Sequence, residues 1–268
     1  MKKLIALLAF LAAPLALHAG EGGTLRGLMT GDDSRGWEGV GRLDIAGASF
    51  CTGALIADNL VLTAAHCLYD KTTGRRFAPE EIEFLAGWRS GRAEAYRGAR
   101  RAVAHPGYQP DGNDRASDLA LIELDQPIRN PSVSPFATGK LPFLTREVGV
   151  VSYAHDRAEM PSMQNTCHVL GRARNTLVLD CDVDFGSSGA PVFDFSTGAP
   201  IIVSVVSAKA FSGEVEVSLG TDLMAPLEEL RALLAAEGDG VFSRVRPTVT
   251  TLENNAAANR TGAKFVRP

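Results

Sequence analysis

The chain has 268 residues with 27 Lys and Arg against 31 Asp and Glu, a formal net charge of −4, and 45% hydrophobic residues. An acidic balance without a basic stripe excludes a nucleic-acid binder. The length suits one large domain or two small ones, and no Gly-rich phosphate loop, heptad pattern or internal repeat is present.

Lys2 and Lys3 precede an apolar run from Leu4 to Leu17, and Ala19-Gly20 offers a small-residue cleavage point. Residues 1–19 therefore read as a signal peptide, too short for a membrane span, and the expected compartment is periplasmic or extracellular, of bacterial type. Cleavage after Ala19 leaves 25 basic against 31 acidic side chains, a net charge of −6, and no membrane association is expected.

Short runs rich in Val, Ile and Leu follow, bounded by Gly, Asp, Asn and Pro: Gly53–Ile56, Leu60–Thr63, Leu119–Leu124, Val148–Tyr153, Thr176–Leu179 and Ile201–Val206. Their length and spacing predict an all-β barrel or sandwich. A Pro-containing break near Asn130–Gly139 predicts two halves, 20–135 and 136–240. A helix is expected near the end, with Pro226 at its first position, Leu227, Leu230 and Leu234 on one stripe, and Gly238 as its stop. Residues 241–268 lack periodicity and read as a flexible or surface-laid tail.

Four cysteines, Cys51, Cys67, Cys167 and Cys181, lie beyond the leader. An even count in an exported chain points to two disulfides. Three connectivities exist; sequential pairing closes two short loops of similar size and is the expected one. With no CxxC pair, no metal or other cofactor is expected.

Three segments bear on chemistry. In "CTGALIADNLVLTAAHC", residues 51–67, His66 follows a strand end and stands beside Cys67. In "SDLALIEL", residues 117–124, Asp118 stands at the mouth of an apolar strand, where a carboxylate needs donors such as an imidazole N–H. In "DVDFGSSGAPVF", residues 183–194, two serines lie on a glycine hinge. By itself that hinge is either a tight turn or a raised nucleophile. His18 leaves with the leader, while His105, His155 and His168 read as structural or solvated.

Together Thr63-Ala64-Ala65-His66-Cys67, Asp118-Leu119-Ala120-Leu121 and Gly186-Ser187-Ser188-Gly189-Ala190-Pro191 resemble the trypsin-like serine proteases, in the order His, Asp, Ser. The resemblance spans about residues 38 to 236. It implies two antiparallel β-barrels of chymotrypsin type with a C-terminal helix, His66 and Asp118 coming from the first and Ser188 from the second. It also implies Ser188 as nucleophile, His66 as general base, Asp118 as its orienting carboxylate, and an oxyanion hole from the N–H groups of Gly186 and Ser188. Asp182 is implied as a pocket residue and Ser207 as part of a substrate-backbone segment. The expected partner is a peptide or protein substrate, with the protein a monomer. The competing reading is an inactive protease-like binding module, although no triad member is missing.

The chain also departs from trypsins. Ser187 stands where they carry Asp, and no Ile-Val-Gly-Gly-like start follows the leader. The oxyanion loop is therefore expected to be organised by contacts other than an amine paired with residue 187. "LDCDVDFGSSGAPVF" is more similar to bacterial glutamyl endopeptidases, yet Val206 replaces the His of their acid-binding strand.

Overall fold

Period-two alternation and β-branched runs produce strands through most of the chain. A computed structural model describes residues 23–112 and 115–239; the leader and the tail from 241 lie outside the described residues. The strands are β1 (Arg26–Gly27), β2 (Val40–Ile45), β3 (Ser49–Ala57), β4 (Leu60–Thr63), β5 (Ile82–Ala86), β6 (Ala95–Ala104) and β7 (Ala120–Leu124). They continue with β8 (Ala137–Thr138), β9 (Glu147–Ala154), β10 (Arg157–Ala173), β11 (Thr176–Leu179), β12 (Pro191–Asp194), β13 (Ile201–Ser212) and β14 (Val215–Asp222). Helix α1 (Met224–Asp239) follows.

Two closed antiparallel barrels result. The first runs β2-β3-β4-β7-β6-β5 and closes where β2 pairs β5. The second runs β9-β10-β11-β14-β13-β12 and closes where β12 pairs β9. Closure leaves neither barrel with an open edge. β10 turns the corner of its barrel through register shifts against both β9 and β11, as bulges permit. β1 adds to β10, and β8 lies parallel to β13.

Inward side chains fill each barrel. Leu43, Leu55, Leu62, Phe84 and Leu121 are fully buried in the first; Val150, Leu179 and Val192 are in the second. Tyr153, Phe193 and Val205 of the second barrel belong to the first barrel's apolar cluster, so the two barrels share a dry seam. Trp37 and Phe136 pack on Phe193 there, at ring distances of 5.2 and 4.9 Å.

β4 and β11 have the bounds the sequence predicts. β3 starts earlier, at Ser49, and β13 runs on to Ser212 because it pairs with β14 across a turn at Gly213. Helix α1 starts at Met224 and not at Pro226, with the Leu227 N–H donating to the Leu223 carbonyl at 2.9 Å. Pro226 thus sits inside the first turn, where its missing N–H has no partner to lose. The helix also passes through Gly238, the expected stop. Its leucine stripe packs on the first barrel, and Arg101 Nη1 donates to the Leu234 carbonyl at 2.8 Å. Among the described residues no helix is long and apolar enough to cross a membrane.

Candidate active site

The strand β4 ends at Thr63, and Ala64 and Ala65, both fully buried, let the chain turn tightly against the core. A short 3-10 turn, Ala65–Leu68, then carries His66. The Cys51–Cys67 disulfide ties this turn to β3, and Cys167–Cys181 ties β10 to the loop after β11, which is the sequential pairing.

Asp118 precedes β7 and is fully buried. Its Oδ1 accepts the His66 backbone N–H at 2.9 Å, and its Oδ2 lies 2.8 Å from His66 Nδ1. The Ser207 hydroxyl donates to the same Oδ2. Burial pushes the Asp118 carboxyl up, but the hydrogen bond from the His66 ring, the His66 charge, the Ser207 hydroxyl and the His66 N–H together hold it below its ordinary value. An ionised carboxylate only accepts, so Nδ1 is the donor and Nε2 of the neutral ring carries the lone pair.

Ser188 lies on a turn between the barrels' facing sides. Gly186 and Gly189 have φ of +99° and +81°, a region closed to most side chains. A Cβ on Gly186 would collide with the Phe50 ring, and one on Gly189 with Thr63 Oγ1 and the Thr52 carbonyl. Four carbonyls in a row have protein donors. Phe185 accepts from the His155 N–H at 2.7 Å, Gly186 from Thr52 Oγ1 at 2.8 Å, Ser187 from the Ala190 N–H at 2.9 Å, and Ser188 from the Thr52 N–H at 2.8 Å. The alternate amides are used as well: Ser187 donates to the Asp184 carbonyl at 2.9 Å and Gly189 to the Val206 carbonyl at 2.8 Å. The N–H groups of Gly186 and Ser188 have no protein acceptor among the described residues. Because a trans peptide points its C=O and N–H in opposite directions, the His155 contact turns the Gly186 N–H away from β9.

Ser187 is fully buried, and its hydroxyl donates toward the Tyr153 carbonyl at 3.2 Å and Ser152 Oγ at 3.3 Å. It also accepts the Asp184 N–H at 3.3 Å. These contacts make its surroundings polar without any charge.

His66, Ser188 and Ser207 line one cavity of about 530 Å³ with Tyr69, Tyr108, Val206 and Lys209; Asp182 and Gly186 are not among its lining residues. The described residues include no hydrogen bond between the His66 ring and the Ser188 hydroxyl. Asp182 is exposed, its N–H donating to Gln164 Oε1 at 2.7 Å. Lys209, absent from the sequence reading, pairs with Glu216 at 2.7 Å on the cavity wall. Tyr108 is partly buried, and that burial pushes its hydroxyl up to about 12. His168 also has a carboxylate, Asp180 Oδ2 at 2.8 Å from Nδ1, but lies off the cavity. His105 pairs with Glu229 of α1 at 3.0 Å. The sequence missed the Ser207 link to Asp118 because the two are 89 positions apart. It missed Thr52 because nothing but its place beside Cys51 marks it.

Known proteins resemble the chain in both sequence and fold. Human mannan-binding lectin serine protease 1 is 31% identical over 102 residues, which cover 33% of this chain and 14% of that protein. A trypsin of Phaedon cochleariae is 35% identical over 101 residues, 37% of this chain and 36% of that one. The chain thus spans well under half the length of these relatives. A solved Glu endopeptidase superposes with a TM-score of 0.67 at 22% identity, covering 81% of this chain and 98% of that one. The thermostable serine protease AL20 does so at 0.59 and 17% identity, covering 74% and 97%. At these identities the likeness carries the fold, two barrels of chymotrypsin type. The model of the family described as Trypsin matches residues 31–216, well over half the sequence, and the chain therefore belongs to the trypsin family.

Proposed function

We propose that the protein is a serine endopeptidase that cleaves peptide bonds through His66, Asp118 and Ser188. A serine hydroxyl is a weak nucleophile at its own pKa and needs a neighbouring base. His66 Nε2 takes the Ser188 proton as Oγ attacks the scissile carbonyl, and Asp118 holds the tautomer and offsets the imidazolium charge. The tetrahedral oxyanion receives the N–H groups of Gly186 and Ser188. His66 then protonates the leaving amine, and water releases the acyl group by the same route in reverse. Each oxyanion donor is worth about 3–4 kcal/mol in such sites.

One observation carries this reading. Around Ser188 the turn gives the carbonyls of residues 185–188 protein donors yet leaves the Gly186 and Ser188 amides without a protein acceptor among the described residues, and Ser188 lines the same cavity as His66. Both residues are half-buried, so these two N–H groups are left for water or for a bound ligand. Export is part of the proposal, because two disulfides suit an oxidising compartment.

Fluorophosphonate labelling tests the reading. The wild-type chain should label and cleave peptides, Ser188→Ala should lose both, and Ser187→Ala should still label. Labelling that survives Ser188→Ala and disappears with Ser187→Ala would overturn the assignment. A folded wild-type chain that never labels would leave the inactive binding module as the reading.

A further inference from the structure

Thr52 stands one residue after Cys51 on β3, fully buried where the two barrels meet. All of its polar groups are engaged. Its N–H donates to the Ser188 carbonyl at 2.8 Å, and its own carbonyl accepts Thr63 Oγ1 at 2.8 Å. Its hydroxyl accepts the Tyr153 N–H at 3.0 Å and donates to the Gly186 carbonyl at 2.8 Å; the Tyr153 carbonyl, at 3.4 Å, is the more distant acceptor. One side chain thus joins the first barrel, β9 of the second barrel, and the turn that carries Ser188.

Gly186 makes this contact consequential. With no Cβ, the residue has access to several backbone conformations, so the turn is not held by local sterics. Only a change of peptide orientation is needed to swing an N–H away from the cavity. The contact from His155 fixes the peptide before Gly186, and the contact from Thr52 Oγ1 fixes the peptide after it. Any residue but proline at 52 supplies the backbone donor to Ser188, whereas the donor to Gly186 comes from the side-chain hydroxyl. The hydroxyl's acceptance of the Tyr153 N–H also aims its single proton at Gly186. Ser187 brings no charge to do the same work from beneath.

We infer that the Thr52 hydroxyl, by fixing the Gly186–Ser187 peptide that joins the Gly186 and Ser188 amides, is a positioning group that keeps both open for a developing oxyanion. The inference rests on the proposed serine-hydrolase reading. It makes Thr52 a positioning residue, since it acts through Gly186 and touches no reacting atom. A hole that is correctly built but loosely held loses part of its benefit, because preorganised donors are effective only when they need not move.

The test compares Thr52→Val, which keeps shape and backbone N–H but lacks the hydroxyl, with Thr52→Ser, which keeps the hydroxyl. A fluorophosphonate probe is used on the full chain, and the maximal inactivation rate is separated from the apparent probe affinity. Thr52→Val should lower the maximal rate about 10- to 100-fold, less than the 10²–10³ expected for outright loss of one donor. Probe affinity should stay within about threefold, and Thr52→Ser should return the rate close to wild type. If Thr52→Val does not fold, Thr52→Ala, which likewise lacks the hydroxyl but keeps a Cβ and the backbone N–H, gives the same comparison. A folded Val or Ala variant that labels at the wild-type rate overturns the inference, as does a Ser variant as slow as Val. In either case a labelling wild type leaves the proposed function standing. A wild type that does not label overturns the function itself.

Discussion

Asp118 is fully buried, and a carboxylate there stays ionised only if donors replace the water it has lost. Three do: the His66 ring, the His66 N–H and the Ser207 hydroxyl. They hold its pKa below the ordinary value against the opposing effect of burial. The sign of the linkage follows. A carboxyl with a depressed folded pKa adds stability that is present above its unfolded pKa, about 4, and lost as pH falls through the folded value. Asp118→Asn should therefore flatten the acid-side loss of melting temperature below about pH 4. The same variant should cost turnover roughly 10⁴-fold at neutral pH, since an amide can fix the wrong tautomer. Melting curves across pH and steady-state kinetics check the two halves separately. An Asn variant with the wild-type acid profile would mean that Asp118 titrates alike folded and unfolded. At this scale the sequence offered His66, Asp118 and Ser188 through their local motifs. Ser207 was named only as part of a substrate-backbone segment and Thr52 not at all, because a hydroxyl's partner depends on which strand folds beside it.

Elements divide according to how their residues alternate. β4, "LVLT", and β11, "TLVL", are short apolar runs between turn residues, and the structure gives them the expected bounds. β6, "AYRGARRAVA", and β10, "RAEMPSMQNTCHVLGRA", carry arginines and polar residues on partly exposed positions, and bulges shift their register. Neither reads as a clean period-two strand, so pairing partners decide them. Cysteines work at the same level. Cys51–Cys67 closes a loop with a sequence separation of 16 and holds the turn that bears His66. Replacing both by Ala should cost about 3 kcal/mol by loop entropy. It should also slow fluorophosphonate labelling well below the melting transition, because the imidazole loses its anchor. Differential scanning calorimetry and labelling rates measure the two effects. A destabilised variant that labels normally would show that β4 and Asp118 alone suffice to hold His66.

Whole-molecule organisation bears on how the turn is set. β1 pairs β10, and the Gly23 N–H donates to the Thr166 carbonyl at 2.7 Å, so the described N-terminal segment runs along the second barrel. The Ser187 hydroxyl meets only neutral groups, the Tyr153 carbonyl, the Ser152 hydroxyl and the Asp184 backbone N–H. A buried ammonium facing neutral partners alone is strongly disfavoured. Proteins beginning at Gly20 and versions with a few extra preceding residues should therefore label at equal rates. Activity confined to one exact N-terminus, and abolished by acetylating it, would reverse this conclusion. The sequence by itself determined the all-β class and the three motif segments and made sequential disulfides the expected pairing, because short-range alternation, glycine conformation and cysteine spacing are local properties. Only the tertiary structure decided that Thr52, Tyr153 and His155 meet the Ser188 turn, that Ser207 completes the shell around Asp118, and that Asp182 stands exposed off the cavity. These outcomes depend on how two closed barrels face each other, and barrel closure brings together residues whose separation in sequence no local pattern encodes.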